Sequence, residues 1–375
     1  MSTSPTRPAR YVFIDALRGL TALSVVIFHA RGGGHIDTWA ATWPAFVDGI
    51  VYNMGIAVQI FFVLSGFVIA HSMIRHDVGF GYVGRFLLRR SIRLDPPYWA
   101  SMAMTIALAV VSTRFVAGKV YEFPSLSNLG LHVLYLADLL HYPMIQPVYW
   151  TLCLEIQFYL VFAVLMMVAT VLRRWTSPER AFYIVLLPCL VFADLWPLGR
   201  PPFSNPELFP EQWYQFLSGV AVYWAVSRPG DLRAATLAFG NAALLGVIAA
   251  VRQDVAVAMG AAAALLILLA GIRGTLTTWL GSRPFLFLGT ISYSLYLIHN
   301  PLSGAMYRVG YRISGRSLAL EAFWFVAVLV GCVALSALFC WAVEKPSLAF
   351  SRRIRVGPAE APSAVPAELP GQSRS

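Results

Sequence analysis

The stretch Asp15-Ala16-Leu17-Arg18-Gly19-Leu20-Thr21-Ala22-Leu23-Ser24-Val25-Val26-Ile27-Phe28-His29 decides how this chain is read. It lies in an apolar run over 13–31, within the roughly 17–25 residues that cross a bilayer as a helix. Eleven helical steps from Arg18 to His29 make three turns plus about 20°, so both side chains share one face, about 16 Å apart along the axis. A cation and an imidazole on one face of a membrane helix are costly to place there and mark a candidate site.

The rest of the chain is of the same kind. Hydrophobic residues make up 58% of the 375, charged residues only 12%, and the mean hydropathy is +0.67, which excludes an ordinary soluble domain. Further apolar spans are predicted at 50–73, 95–113, 148–172, 181–198, 212–227, 234–251, 254–272, 285–307 and 319–343. The predicted fold is therefore all-α, a polytopic transmembrane bundle of about ten helices. Residues 129–141 are only moderately apolar and contain His132, Asp138 and His141, so they read as a short or re-entrant piece.

Leaving that piece uncrossed puts the basic clusters on one side. These are Arg7 and Arg10; Arg75 through Arg93; Arg173, Arg174 and Arg180; Arg228 and Arg233; Arg273 and Arg283; and Lys345 through Arg355. The positive-inside bias makes that side, and both termini, cytoplasmic. Arg308, Arg312 and Arg316 fall outside and break the pattern. The net charge of +10 is then loop charge of a membrane protein and not a nucleic-acid surface.

Three segments follow: a cytoplasmic N-terminal segment over 1–12, a transmembrane domain over 13–346, and a cytoplasmic tail over 347–375. The tail is expected to be disordered, being rich in Pro, Ala, Ser and Glu from Gly357 onward. The first apolar run is too long for a cleaved signal peptide and reads as a retained anchor. Cys153, Cys189, Cys332 and Cys340 sit in apolar runs without metal-ligand spacing and read as packing residues, so no metal is expected.

Polar residues recur at helical spacing inside or beside the spans. Arg85, Arg89 and Arg93 repeat every four residues, with Arg90 beside them, and form a basic stripe or an ordinary cytoplasmic anchor. Thr151, Glu155 and Tyr159 form a polar stripe on an apolar helix, with Glu155 the lone carboxylate of its span. Ser292, Tyr296, His299 and Ser303 form another, near Pro301, where such groups also satisfy freed backbone.

These segments resemble the membrane-bound acyltransferase 3 family. The resemblance rests on Ile14-Asp15-Ala16-Leu17-Arg18-Gly19-Leu20 leading to His29, on Phe61-Phe62-Val63-Leu64-Ser65-Gly66-Phe67-Val68-Ile69, and on Arg85 through Leu94. It continues in Trp150 through Tyr159, in Tyr293-Ser294-Leu295-Tyr296-Leu297-Ile298-His299, and in Trp341-Ala342-Val343-Glu344-Lys345-Pro346. Two positions depart from the family pattern: Thr151 stands for the usual Ser, and Ile156 for a second Glu. The resemblance implies an integral-membrane O-acyltransferase of the bacterial inner membrane, acting in cell-envelope or polysaccharide modification. It would move an acetyl group from cytoplasmic acetyl-CoA, a co-substrate, to a carbohydrate, glycolipid or macrolide-like acceptor. It carries over Arg18 and His29 as the essential pair and Arg90 and Arg93 as the paired arginines.

Acyl transfer from a thioester needs a base, donors for a developing oxyanion, and a hold on an anionic coenzyme. His29, with an ordinary pKa of about 6.5, suits the base or an acyl carrier. Arg18 would contact the thioester end or pantetheine arm of the donor, or else snorkel and pair with Asp15. Arg85, Arg89, Arg90 and Arg93 would bind the phosphates of acyl-CoA. Glu155 would orient an imidazole, pair with an arginine or meet acceptor hydroxyls, and Trp150, Tyr159, Tyr296 and His299 are assigned to the acceptor. A transporter or flippase for a glycoconjugate would use the same intramembrane charges as a path and is the alternative reading.

Overall fold

The computed structural model describes residues 11–115, 121–199 and 207–356, which are helical with no β-strand among them. Helix α1 (Val12–Gly32) is the run quoted above, with Asp15 in its first turn and His29 and Arg31 in its last, the charge order its dipole favours. Two short helices, α2 (Asp37–Ala40) and α3 (Ala45–Asn53), lead into α4 (Val58–Met73). Helix α5 (Phe80–Phe115) runs 36 residues through Pro96 and Pro97, so the arginine cluster and the span after it are one continuous helix.

Helix α6 (Leu126–Val133) is only eight residues long and is followed by turns, with Tyr135 and His141 at positive φ. His132 holds this piece together: its Nδ1 lies 3.0 Å from the Asn128 carbonyl, and its Nε2 accepts the Ile145 N–H at 3.1 Å. The chain continues through α7 (Trp150–Leu172), α8 (Pro178–Ala193), α9 (Leu195–Gly199) and α10 (Pro210–Val226). Then come α11 (Leu232–Arg252), α12 (Val255–Ile272), α13 (Arg283–Ser314) and α14 (Leu318–Phe339). A π-helical turn over Cys340–Glu344 joins α14 to α15 (Lys345–Ser351).

Each expected span coincides with a helix, but not all are alike. Among the described residues, 7 helical segments are long and apolar enough to cross a membrane: Val12–Gly32, Ala45–Met73, Pro147–Leu172, Pro178–Gly199, Leu232–Arg252, Val255–Ile272 and Leu318–Ser351. The other three expected spans fall on α5 with its arginines, on α10 with only 17 residues, and on α13, whose 32 residues include Arg308 and Arg312. The tail differs from expectation at its start: residues 345–351 are helical, and Ser347 and Ser351 are buried where α15 packs on α5. Residues 1–10 and 357–375, and with them the expected N-terminal segment and the Pro-rich tail, lie outside the described residues.

Two close crossings set the frame that holds the site. Helix α1 lies along α13, and a Cβ at Gly19 would come within 2.5 Å of the Gly289 amide nitrogen and 2.6 Å of the Leu288 carbonyl carbon. Helix α4 lies along α10, where a Cβ on Gly66 would overlap the Phe216 carbonyl oxygen and one on Gly219 the Val63 carbonyl oxygen. Such contact suits membrane helices, which gain from dispersion at short range and not from water expulsion. Helix α10 is enclosed by α4, α7, α8, α11 and α12, and every side chain from Trp213 to Ala225 is buried.

Charge separates the two ends of the bundle. Both termini of the described chain lie at the arginine-rich end, where the Tyr11 ring sits 5.3 Å from His71 and Arg85 Nε donates to the Val356 carbonyl at 3.4 Å. At the opposite end Arg31 pairs with Asp48 at 2.6 Å and Asp37 at 2.9 Å. There Arg316 pairs at 2.6 Å with Glu321, which is wholly buried and accepts the Trp39 N–H at 2.8 Å. Arg316, an exception to the charge rule, is therefore neutralised locally, and Arg308 folds back to donate to the Gly304 carbonyl at 2.8 Å.

Candidate active site

Helices α1, α4, α5, α7 and α13 enclose a cavity of about 80 Å³, several water molecules in size. Arg18, Arg90 and Arg93 reach it from two helices, and Glu155 is the one acidic side chain among its described lining residues. The ion pairs found among the described residues include neither Arg18 nor Arg93. Arg93 sits in the repulsive field of Arg18 and Arg90, countered from a distance by Glu344. A space with three guanidinium groups and one carboxylate is built for an anion.

The stripe on α7 organises one wall. Glu155 Oε1 accepts the Ser65 hydroxyl at 2.6 Å and also the Tyr159 hydroxyl. Arg90 Nη1 donates to the Tyr159 oxygen at 3.1 Å, and its guanidinium carbon stands 4.5 Å from the centre of the Tyr159 ring. Glu155 thus holds Arg90 in place through Tyr159, by hydrogen bonds and a cation–π contact. Further along, the Tyr296 hydroxyl donates to the Val148 carbonyl at 3.1 Å and lies 2.8 Å from the Thr151 hydroxyl. Thr151 keeps the hydroxyl that the family's serine would supply.

His29 and His299 lie beyond this wall. Neither lines the cavity; their rings face each other at 5.1 Å with 46° between planes, and the Tyr296 ring, which does line it, is 6.1 Å from His299. The pair on α1 is therefore split as its spacing requires, Arg18 in the cavity and His29 on the far side of Tyr296.

The structure brings together Arg18, Arg90, Arg93, Thr151, Glu155, Tyr159 and Tyr296. It does not bring in Arg85 and Arg89, which are exposed on the same helix as Arg90, nor Trp150, which is half-buried against the Phe62 ring at 5.9 Å. Residue-level reading missed Ser65, Tyr293 and Phe61, all in the lining. Tyr293 donates to the Leu94 carbonyl at 2.9 Å, tying α13 to α5 at the proline pair. Both Ser65 and Tyr293 stand in segments that carry the resemblance, the only signal that could have found them.

The acyltransferase-domain family model matches residues 11–342. The chain belongs to the acyltransferase 3 family. As a member, with its several membrane-length apolar helices, it is a multi-pass membrane acyltransferase. A protein of Komagataeibacter xylinus named as a candidate membrane-bound transacylase is 27% identical over 92% of this chain and 84% of its own length. A candidate peptidoglycan O-acetyltransferase of Bacillus subtilis (strain 168) is 25% identical over 93% of this chain, which spans 57% of that longer protein. Nodulation protein 10 of Rhizobium leguminosarum bv. viciae is 25% identical, covering 89% of this chain and 92% of the relative. No solved structure is significantly similar. Within this acyltransferase 3 chain, five of the six segments quoted for the family meet at the cavity and the histidine pair beside it, while in the sixth, Trp341–Pro346, Glu344 instead accepts the Ser294 hydroxyl at 2.6 Å.

Proposed function

We propose that this acyltransferase moves an acetyl group from cytoplasmic acetyl-CoA to a hydroxyl of a carbohydrate or glycoconjugate at the opposite face of a bacterial inner membrane. The observation that carries the reading is the convergence of Arg18, Arg90 and Arg93 on one cavity with a single carboxylate. A coenzyme bearing phosphates and a thioester matches that charge. The likeness to a candidate peptidoglycan O-acetyltransferase supports a hydroxyl acceptor. Ten spans with both ends cytoplasmic place the arginine-rich end where acyl-CoA is made.

In this reading Arg90 and Arg93 hold the phosphate end of the donor, with exposed Arg85 and Arg89 extending the positive face toward the nucleotide. Arg18 guides the arm, Glu155 fixes Tyr159 and Arg90, and Tyr296 separates the donor cavity from His29. Of the residues first assigned to the acceptor, Tyr159 is tied to Arg90 on the donor side and Trp150 lies outside the cavity lining, which leaves Tyr296 and His299, beside His29, for the acceptor side. His29 takes the acceptor's hydroxyl proton as its oxygen attacks the thioester carbonyl. The C–S bond then breaks, and the departing thiolate takes the proton from His29, leaving ester and free coenzyme thiol. The test is thiol release and ester formation by purified His29→Ala and Arg18→Ala proteins in nanodiscs, with acetyl-CoA and a carbohydrate acceptor. Both variants should lose turnover at normal abundance; wild-type turnover in either removes its role.

A further inference from the structure

His299 is wholly buried, and its two ring nitrogens have different surroundings. Nδ1 lies 3.0 Å from the Leu295 carbonyl and 2.9 Å from the Tyr296 carbonyl. Carbonyl oxygens only accept, so Nδ1 carries the hydrogen and, in the neutral ring, Nε2 carries a lone pair. That Nε2 is buried and has no hydrogen-bond partner. Buried acceptors are rarely left unmet, and the nearest imidazole is His29, ring to ring at 5.1 Å.

We infer that His299 is a positioning residue for His29: its Nε2 accepts an N–H from the His29 ring, directly or through one water, when substrate is bound. This rests on His29 serving as the base. A base whose second nitrogen donates to a fixed acceptor is held in one tautomer, with its other lone pair turned to the acceptor hydroxyl. The orienting group in many such arrangements is a carboxylate, but a carboxylate here would bury a charge at membrane depth. A neutral imidazole locked by two backbone carbonyls does the same work without that charge. This changes the assignment of His299 from acceptor binding to orientation of the base.

The side-chain amides of Asn and Gln separate the two nitrogens. His299→Asn keeps a donor near the position of Nδ1 and deletes the group at Nε2, whereas His299→Gln places an amide oxygen near Nε2. In nanodiscs His299→Asn should lower kcat about 10- to 100-fold with the KM for acetyl-CoA unchanged, and His299→Gln should recover part of it. A purely structural role would lower the folded yield of both and would not separate them. The second measurement needs no variant to turn over: nitrogen NMR of histidine-labelled wild-type protein with coenzyme A should show His29 in a single tautomer. Wild-type kcat in folded His299→Asn, or a His29 ring exchanging between tautomers, overturns the inference. An active His29→Ala would instead overturn the reading of His29 as base, while an inactive His29→Ala beside a fully active His299→Asn would overturn only the positioning role.

Discussion

Gly19→Ala tests the frame beneath the site. The added Cβ would stand 2.5 Å from the Gly289 nitrogen, 2.6 Å from the Leu288 carbonyl carbon and 2.7 Å from the Leu288 Cβ. Ordinary contact between such atoms lies at about 3.5–4 Å, so α1 and α13 must part by roughly 1 Å. The main obstacles are backbone, and no side-chain rotation removes them. Overpacking of this kind costs about 1–3 kcal/mol. Arg18 precedes Gly19, and the same interface sets His29 against His299, so the displacement reaches both halves of the site. A shift of about 1 Å at reacting groups lowers turnover about 100-fold. The assay is thermal unfolding in detergent beside thiol release from acetyl-CoA in nanodiscs. Gly246→Ala on α11 is the control, because nothing lies within 4 Å of its Cβ and alanine is the better helix former. A Gly19→Ala protein with wild-type Tm and turnover would refute the reasoning.

Arg93→Lys keeps the charge and removes the planar fork, so the KM for acetyl-CoA should rise about tenfold with abundance unchanged; an unaltered KM would take Arg93 out of donor binding. Glu321→Gln leaves either Arg316 or the Trp39 N–H facing an amide, and should cost about 1–3 kcal/mol of stability in thermal unfolding while the folded fraction keeps its turnover. His35, which follows α1 and stacks on Tyr307 at 4.4 Å, is held below its ordinary value of 6.5 by burial and then by Arg308 and Arg316. The unfolded chain therefore takes up this proton first, and stability should fall as pH drops below 6.5, an effect absent above it. Tm measured between about pH 7.5 and 5 should decline less steeply in His35→Phe, which keeps the stack; equal slopes would contradict the assignment.

Helices were legible because hydropathy and period are local properties. The α7 stripe was legible for the same reason: residues four apart share a face, and Thr151, Glu155 and Tyr159 do line one cavity. Contacts across helices were not. The spacing of Arg85, Arg89 and Arg93 favoured a single stripe, yet Arg90 and Arg93 reach the cavity while Arg85 and Arg89 face outward, because α5 packs on α13 and α15 and turns Phe86 and Arg90 toward Tyr159 of α7. On α13, Tyr296 and His299 share a stripe but face different spaces, the cavity for one and His29 for the other. Arg316 looked misplaced until its carboxylate partner, five residues on, was seen buried beside it.

Helix α10 has a consequence for how the chain is made. With every side chain from Trp213 to Ala225 covered by protein, and with Gln212 and Gln215 in its first two turns, it has no face suited to lipid. Two of the helices that cover it, α11 and α12, are synthesised after it. During synthesis α10 must wait against α4, α7 and α8 until those later helices arrive, so the last step in closing this half of the bundle belongs to residues 232–272 and not to α10 itself.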